Sequence, residues 1–384
     1  MTSPFPLDPI ALTQALVAID SRNPSLVPDG PGERPCADFL AEVLTGWGFD
    51  VRCTEVAAGR ANVVARIGPR GVSPLVLNGH LDIVGVEGMT HPPFTPELRD
   101  GSLYGRGATD MKGGIAAMCV AAARAAQHGP LASELIIAAV CDEEFASIGT
   151  RHLLSEGLQA SAAIITEPTR LAVVPAHKGF VWVEVTLHGR AAHGSRYDVG
   201  RDANREAARF LMALDRYERT VLAQRTHPLL GRASIHAPII RGGTGWSTYA
   251  DQSTVCLERR TLPGETAEQV VAEIEGLLEA LRAEDPDVSG VLELRGAQPP
   301  LDVPADHPLV QTLTSAATQA GLEGTVDGLW CWTDAALFAA AGIPAVCFGP
   351  GDIARAHSAT EWVECDQITA ATEVLTTVCR QWGR

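Results

Sequence analysis

The sequence predicts an α/β protein of two domains. The larger is split in the chain and has a mixed sheet flanked by helices, and a smaller ferredoxin-like α+β domain is inserted into it. Three observations carry this prediction. At 384 residues the chain exceeds the size at which one core usually suffices. Short apolar runs at 75–77, 135–140, 163–165 and 345–348 are punctuated by Gly and Pro, as expected of strands buried on both faces between helices. In the middle of the chain the periodicity changes. Residues 180–187 alternate like a strand, 201–217 are amphipathic with helical spacing, and strands follow near 233–241 and 253–262. A second helix over 265–282 and a last strand over 290–294 complete the order βαββαβ, the ferredoxin-like pattern. The inserted domain therefore covers 178–295, entered after Pro175 and left before Pro299-Pro300, with 1–177 and 296–384 forming the larger domain.

Composition narrows the function classes. With 46% hydrophobic residues the chain can bury both cores, and a formal charge of −16 argues against nucleic acid or an anionic membrane as partner. Nine cysteines, an odd number without a Cys-x-x-Cys pair, fit small buried hydrophobes in a reducing compartment better than a disulfide framework. Cys141 fits strand packing rather than a nucleophile. No basic stretch followed by an apolar core opens the sequence, and no window reaches about 18 uninterrupted apolar residues. The expectation is a cytoplasmic enzyme.

Five segments carry the chemistry: Gly79-His80-Leu81-Asp82, the run from Gly105 to Gly114 containing Asp110, Asp142-Glu143-Glu144, Thr166-Glu167-Pro168 and Ala356-His357-Ser358. A lone His-x-Asp is more often a loop histidine beside a carboxylate, and adjacent glutamates usually lie on a solvated face. Context changes this, because four of the segments follow the apolar runs, and ligands of open α/β sheets bind beyond the carboxyl ends of such strands. Imidazole and carboxylate together suit a pair of divalent cations such as Zn²⁺, which they coordinate at about 2.0–2.2 Å.

In this order, His80/Asp82, Asp110, Glu143/Glu144, Glu167 and His357 resemble the M20 metallopeptidases, and within them the acetylornithine deacetylase and succinyl-diaminopimelate desuccinylase group. The likeness runs from Leu12 to Trp362 and is most specific from Tyr104 to Gly114. It implies two divalent metal ions, most readily Zn²⁺ with Co²⁺ or Mn²⁺ as alternatives. Asp110 would bridge them, His80 and Glu167 would complete one site, and Glu144 and His357 the other. Asp82 would accept a hydrogen bond from the far nitrogen of His80. Glu143 would be the general base, taking a proton from a water acidified between the cations. The resemblance also implies a cis peptide between Asp110 and Met111. It makes the larger domain catalytic and gives the inserted domain a dimerisation and lid role, hence a homodimer.

The inserted domain carries further candidates. Gly189 to Ser195 resembles the family segment whose histidine, here His193, stabilises the oxyanion and commonly reaches into the partner's site; taken alone, His193 is a turn histidine. Arg259, within Glu258 to Gly264, is the candidate fork for a substrate carboxylate, with a strand ion pair as the alternative. After Arg241-Gly242-Gly243-Thr244 relatives often carry a substrate-contacting asparagine, where Ser247 stands here. Gly349 and Gly351 are candidates for lining the substrate pocket. Thr333-Asp334 either caps the apolar helix that follows or contacts substrate. Val84-Gly85 replaces the Val-Pro of many relatives. Together these features imply an amidohydrolase removing a small acyl group from an N-acyl amino acid. A dipeptidase or carboxypeptidase of the same chemistry is the first alternative, and a catalytically silent binding protein the second.

Overall fold

A computed structural model describes residues 5–384 and divides the chain into two compact units. The first runs up to Pro175 and takes in Val303–Asp327 and Thr333–Arg384; the second is Ala176–Asp302 with Gly328–Trp332. The second unit is wider than 178–295 because its last long strand, Ser289–Gln298, runs past residue 295, and Leu301–Asp302 then pairs back on His177 and Ala176.

In the first unit a mixed sheet has the order Asp50–Ala57, Arg60–Ile67, Leu135–Val140, Leu75–His80, Ala162–Ile165, Ala345–Cys347. Leu135–Val140, Leu75–His80, Ala162–Ile165 and Ala345–Cys347 are mutually parallel and buried throughout, so they show unbroken apolar runs rather than alternation. The hairpin Asp50–Ala57/Arg60–Ile67 adds antiparallel strands at one edge. Helix Gly113–Gln127 is almost entirely Ala, Gly and short aliphatics and is buried on nearly all sides, packed on helix Cys365–Gln381. Helix Pro9–Val17 starts at Asp8, whose carboxylate accepts the amides of Ile10 and Ala11. Its end is held by the buried Lys112, whose Nζ donates to Leu16 O at 2.9 Å and Ile19 O at 2.8 Å.

The second unit has the antiparallel order Ser234–Gly242, Gln252–Thr261, Gly179–His188, Ser289–Gln298, with helices Ala203–Thr220 and Ala267–Glu284 on one face. This is the ferredoxin-like arrangement. Val181, Val183, Val185 and Leu187 alternate into a core shared with Phe210, Leu214, Val270, Ile274 and Leu278. Thr266 and Gln269 form a reciprocal capping box that starts the second helix. A small hairpin, Thr226–His227 with Gly231–Arg232, is an addition the periodicity did not reveal. Among the described residues no helix is long and apolar enough to cross a membrane.

Candidate metal centre

Parallel pairing explains why distant segments meet. Leu75–His80 ends on His80, Leu135–Val140 leads into Asp142-Glu143-Glu144, Ala162–Ile165 leads into Glu167, and Ala345–Cys347 precedes Gly349, Gly351 and His357. With all four strands pointing the same way, their carboxyl ends lie along one edge of the sheet. Asp110 arrives from the turn before helix Gly113–Gln127, and the Asp110–Met111 peptide is cis.

Two groups form at this edge, His80–Asp110–Glu167 and Asp110–Glu144–His357, each with its ligand atoms within 4.8 Å of one another. They share Asp110. His80 Nε2 lies 3.0 Å from Asp110 Oδ1 and 3.9 Å from Glu167 Oε1. His357 Nε2 lies 3.0 Å from Glu144 Oε1 and 3.4 Å from Asp110 Oδ2. Glu143 Oε2 stands 4.0 Å from His80 Nε2 yet belongs to neither group.

The site gathers several carboxyls around two imidazoles. Burial pushes the carboxyls of Glu143 and Glu167 well above the usual range and Glu144 up to about 7. Burial also acts to raise Asp110, but hydrogen bonds from His357 and His80 outweigh it and hold that carboxyl low. Hydrogen bonds to Asp110 and then Glu144 push His357 up to about 10. Carboxylates buried where the charged form is disfavoured, arranged with two imidazoles around one shared aspartate, are a donor set that fits two divalent ions.

Asp82 requires a correction. His80 Nδ1 donates to the backbone carbonyl of Asp82 at 2.9 Å, while the nearer carboxylate oxygen is 3.6 Å away. The Asp82 carboxylate instead accepts the amides of Glu143 and Glu144, both at 3.1 Å, so it holds the turn carrying these glutamates. The histidine orientation survives, with Nε2 turned to Asp110, but the main chain supplies it.

Glu361, to which the sequence assigned no role, supports Asp110. Its Oε1 accepts the amides of Thr109 at 3.0 Å and Asp110 at 3.1 Å, and its Oε2 pairs with Arg106 Nη1 at 2.7 Å, all buried. Arg106 Nε donates to Gly85 O, so the Gly85 that departs from the family pattern supports this clamp through its main chain. Arg106→Met is expected to lower the free energy of unfolding by about 3–5 kcal/mol, because Glu361 would be left buried without its cation. A urea midpoint unchanged from wild type would show that the pair contributes nothing.

The C-terminal glycines serve the Glu167 turn. A Cβ on Gly349 would meet Thr166 O at 2.5 Å and Glu167 O at 2.6 Å, and Gly351 has φ of +93° beside Pro168 and Thr109. They let two backbone segments touch, and no pocket-lining role is needed to explain them. Asp334 does not cap the helix after it; Thr333 Oγ1 accepts the Ala335 amide instead. Asp334 Oδ2 accepts from Thr150 Oγ1 at 2.5 Å, and burial pushes its carboxyl up to about 6.

Within the second unit His193 is exposed on a turn paired with Thr248, and Ser247 O accepts the amide of Gly194, so these two candidates are neighbours. The Ser195 amide and hydroxyl both reach His193 Nδ1, at 3.3 and 2.8 Å, which makes Nε2 the nitrogen bearing the proton. Arg259 corrects the expectation of an available fork. Its side chain is 1% exposed and is taken up by Glu265 and by the carbonyl of Arg260. Strand pairing buried the guanidinium, and it found its carboxylate within its own unit.

Comparison with known proteins adds three kinds of likeness. The profile of peptidase family M20/M25/M40 matches residues 76–381. N-formyl-4-amino-5-aminomethyl-2-methylpyrimidine deformylase of Bacillus subtilis is 29% identical, covering 90% of this chain and 88% of its own. Acetylornithine deacetylase of Myxococcus xanthus is also 29% identical, covering 89% of this chain and 90% of its own. Among solved structures, aminopeptidase PepT of Bacillus cereus superposes with a TM-score of 0.81 at 19% identity, covering 98% of both chains. The YXEP protein of Bacillus subtilis, described as a dinuclear metal-binding peptidase of the M20 family, does so with 0.74 at 17% identity, covering 97% of this chain and 96% of its own.

Proposed function

This chain belongs to peptidase family M20/M25/M40, and on that premise we propose that it is a metal-dependent amidohydrolase that removes a small acyl group from an N-acyl amino acid. The observation that carries the chemistry is the pair of three-residue groups sharing Asp110, with Glu143 beside them and outside both. In this proposal His80, Asp110 and Glu167 hold one ion and Asp110, Glu144 and His357 the other, with Zn²⁺ as the metal. When bound, such a pair acidifies a water and polarises an amide carbonyl. Glu143 takes the proton from the attacking water and passes it to the departing amine nitrogen. Asp82 holds Glu143 and Glu144 in place through their amides. The preference for acyl removal over peptide cleavage is supported by the sequence relatives, whose names record loss of a formyl and an acetyl group.

The test is a panel of N-formyl, N-acetyl and N-succinyl amino acids and dipeptides, offered to enzyme loaded with Zn²⁺, Co²⁺ or Mn²⁺. Release of formate, acetate or succinate at rates far above dipeptide cleavage supports the deacylase. Faster release of two amino acids from a dipeptide replaces it with the peptidase alternative.

Assembly as a cytoplasmic homodimer belongs to the same proposal. It is supported by the free state of all nine cysteines and by the edge strand Ser234–Gly242, where Ile239 and Ile240 are 40% and 52% exposed with no further strand beyond them among the described residues. In such a dimer the Nε2–H of His193 of one subunit donates a hydrogen bond to the developing oxyanion in the other. His193→Ala should lower kcat by about 10²–10³-fold with metal content unchanged. Mixing it with Glu143→Gln should restore activity, because one heterodimer site regains both an intact base and a partner's His193. No rescue after verified subunit exchange rejects the trans role.

A further inference from the structure

We propose that Asn23 is a positioning residue for the Glu143-Glu144 turn, acting through the two buried aspartates it joins. An amide nitrogen carries two hydrogens, and Asn23 Nδ2 spends one on Asp82 Oδ2 at 2.8 Å and the other on Asp142 Oδ1 at 3.0 Å. These carboxylates are the two supports of the turn. Asp82 accepts the amides of Glu143 and Glu144. Asp142 begins the turn in the left-handed region, at φ of 69°, where aspartate is tolerated better than most side chains, and its carbonyl accepts the amides of Ala146 and Ser147. Arg60 anchors Asp142 Oδ1 at 2.8 Å and is itself held by Glu33 through two bonds of 2.6 Å.

Asn23, Glu33, Arg60, Asp82 and Asp142 are all at most 5% exposed, so no solvent replaces a lost bond. Asn23 is rigid in turn. Its amide donates to Ile83 O at 2.9 Å, its Oδ1 accepts the Ser25 amide at 2.9 Å, and its carbonyl accepts the Val27 amide at 2.8 Å. Without it, Asp82 and Asp142 would face each other with one donor fewer apiece, and Asp82 would be held at Oδ2 only by the Glu144 amide. Because the Asp82 carbonyl also receives His80 Nδ1, the displacement reaches that imidazole as well. Misplacing catalytic groups by about 1 Å costs on the order of 10²-fold in rate.

The inference rests on the proposed function only where activity is read, so its test has two arms, both on the full-length zinc-loaded protein. In Asn23→Ala, hydrogen exchange of peptides covering 141–149 should accelerate at least about tenfold, while strand Leu75–His80 and helix Gly113–Gln127 keep their wild-type protection. Per bound zinc, kcat on the best acyl substrate should fall at least about tenfold, with KM within about twofold. Asn23→Ser, which keeps one donor, should give a smaller change of the same kind, and it replaces the alanine variant if that does not fold. Unchanged exchange at 141–149, or an equal acceleration in the reference strand and helix, overturns the inference. A wild-type protein that turns over no acyl substrate sinks the deacylase reading instead, and the exchange arm then decides this one alone.

Discussion

Glu143→Gln is expected to keep the wild-type metal content and to lose about 10²–10⁴-fold in kcat. Glutamine has the size and shape of glutamate but cannot accept a proton from the attacking water. The side chain is 11% exposed, 4.0 Å from His80 Nε2, and outside both candidate ligand groups, so its replacement leaves every proposed ligand in place. Burial pushes this carboxyl well above the usual range, which makes its ionised form a stronger base, and divalent ions held by the two groups would favour that ionised form. Metal analysis beside steady-state kinetics decides the matter. Activity near wild type would remove Glu143 from the base role, and loss of metal would make it a ligand instead.

Asp110→Asn should have the broader effect, abolishing turnover together with metal retention. Both groups depend on this one carboxylate, with its Oδ1 facing His80 and its Oδ2 facing His357. A neutral amide would leave each group one anion short, and two cations close together repel more strongly without the charge between them. The loss in affinity should exceed the roughly 10–100-fold that changing a supporting partner of a ligand costs. Metal content after gel filtration is the measurement. A variant that holds two ions per chain and turns over normally would show that Asp110 bridges nothing.

How much of the fold and site is legible in the sequence depends on the range of each interaction. Strands such as Leu135–Val140 and Ala345–Cys347 were legible because burial on both faces writes an unbroken apolar run into adjacent residues. The βαββαβ order of the second unit was legible through alternation and helical spacing, again over neighbouring residues. Glu361 and Asn23 were not. Glu361 reaches Thr109 and Asp110 across 252 and 251 positions, and Asn23 reaches Asp142 across 119, with no local pattern at either end.

The sequence by itself determined the α/β class, the inserted ferredoxin-like unit, and the residue types that meet at the carboxyl edge of the sheet. Hydrophobic periodicity and strand ends are local properties, and parallel pairing carries them to one place. Only the tertiary structure decided which atoms do what. Asp82 turns its carbonyl to His80 and its carboxylate to the Glu143-Glu144 amides, Arg259 is consumed by Glu265, and Gly349 makes room for the Glu167 turn. A buried polar atom must find a partner wherever the packed chain presents one, and that choice depends on packing in three dimensions rather than on neighbours in sequence.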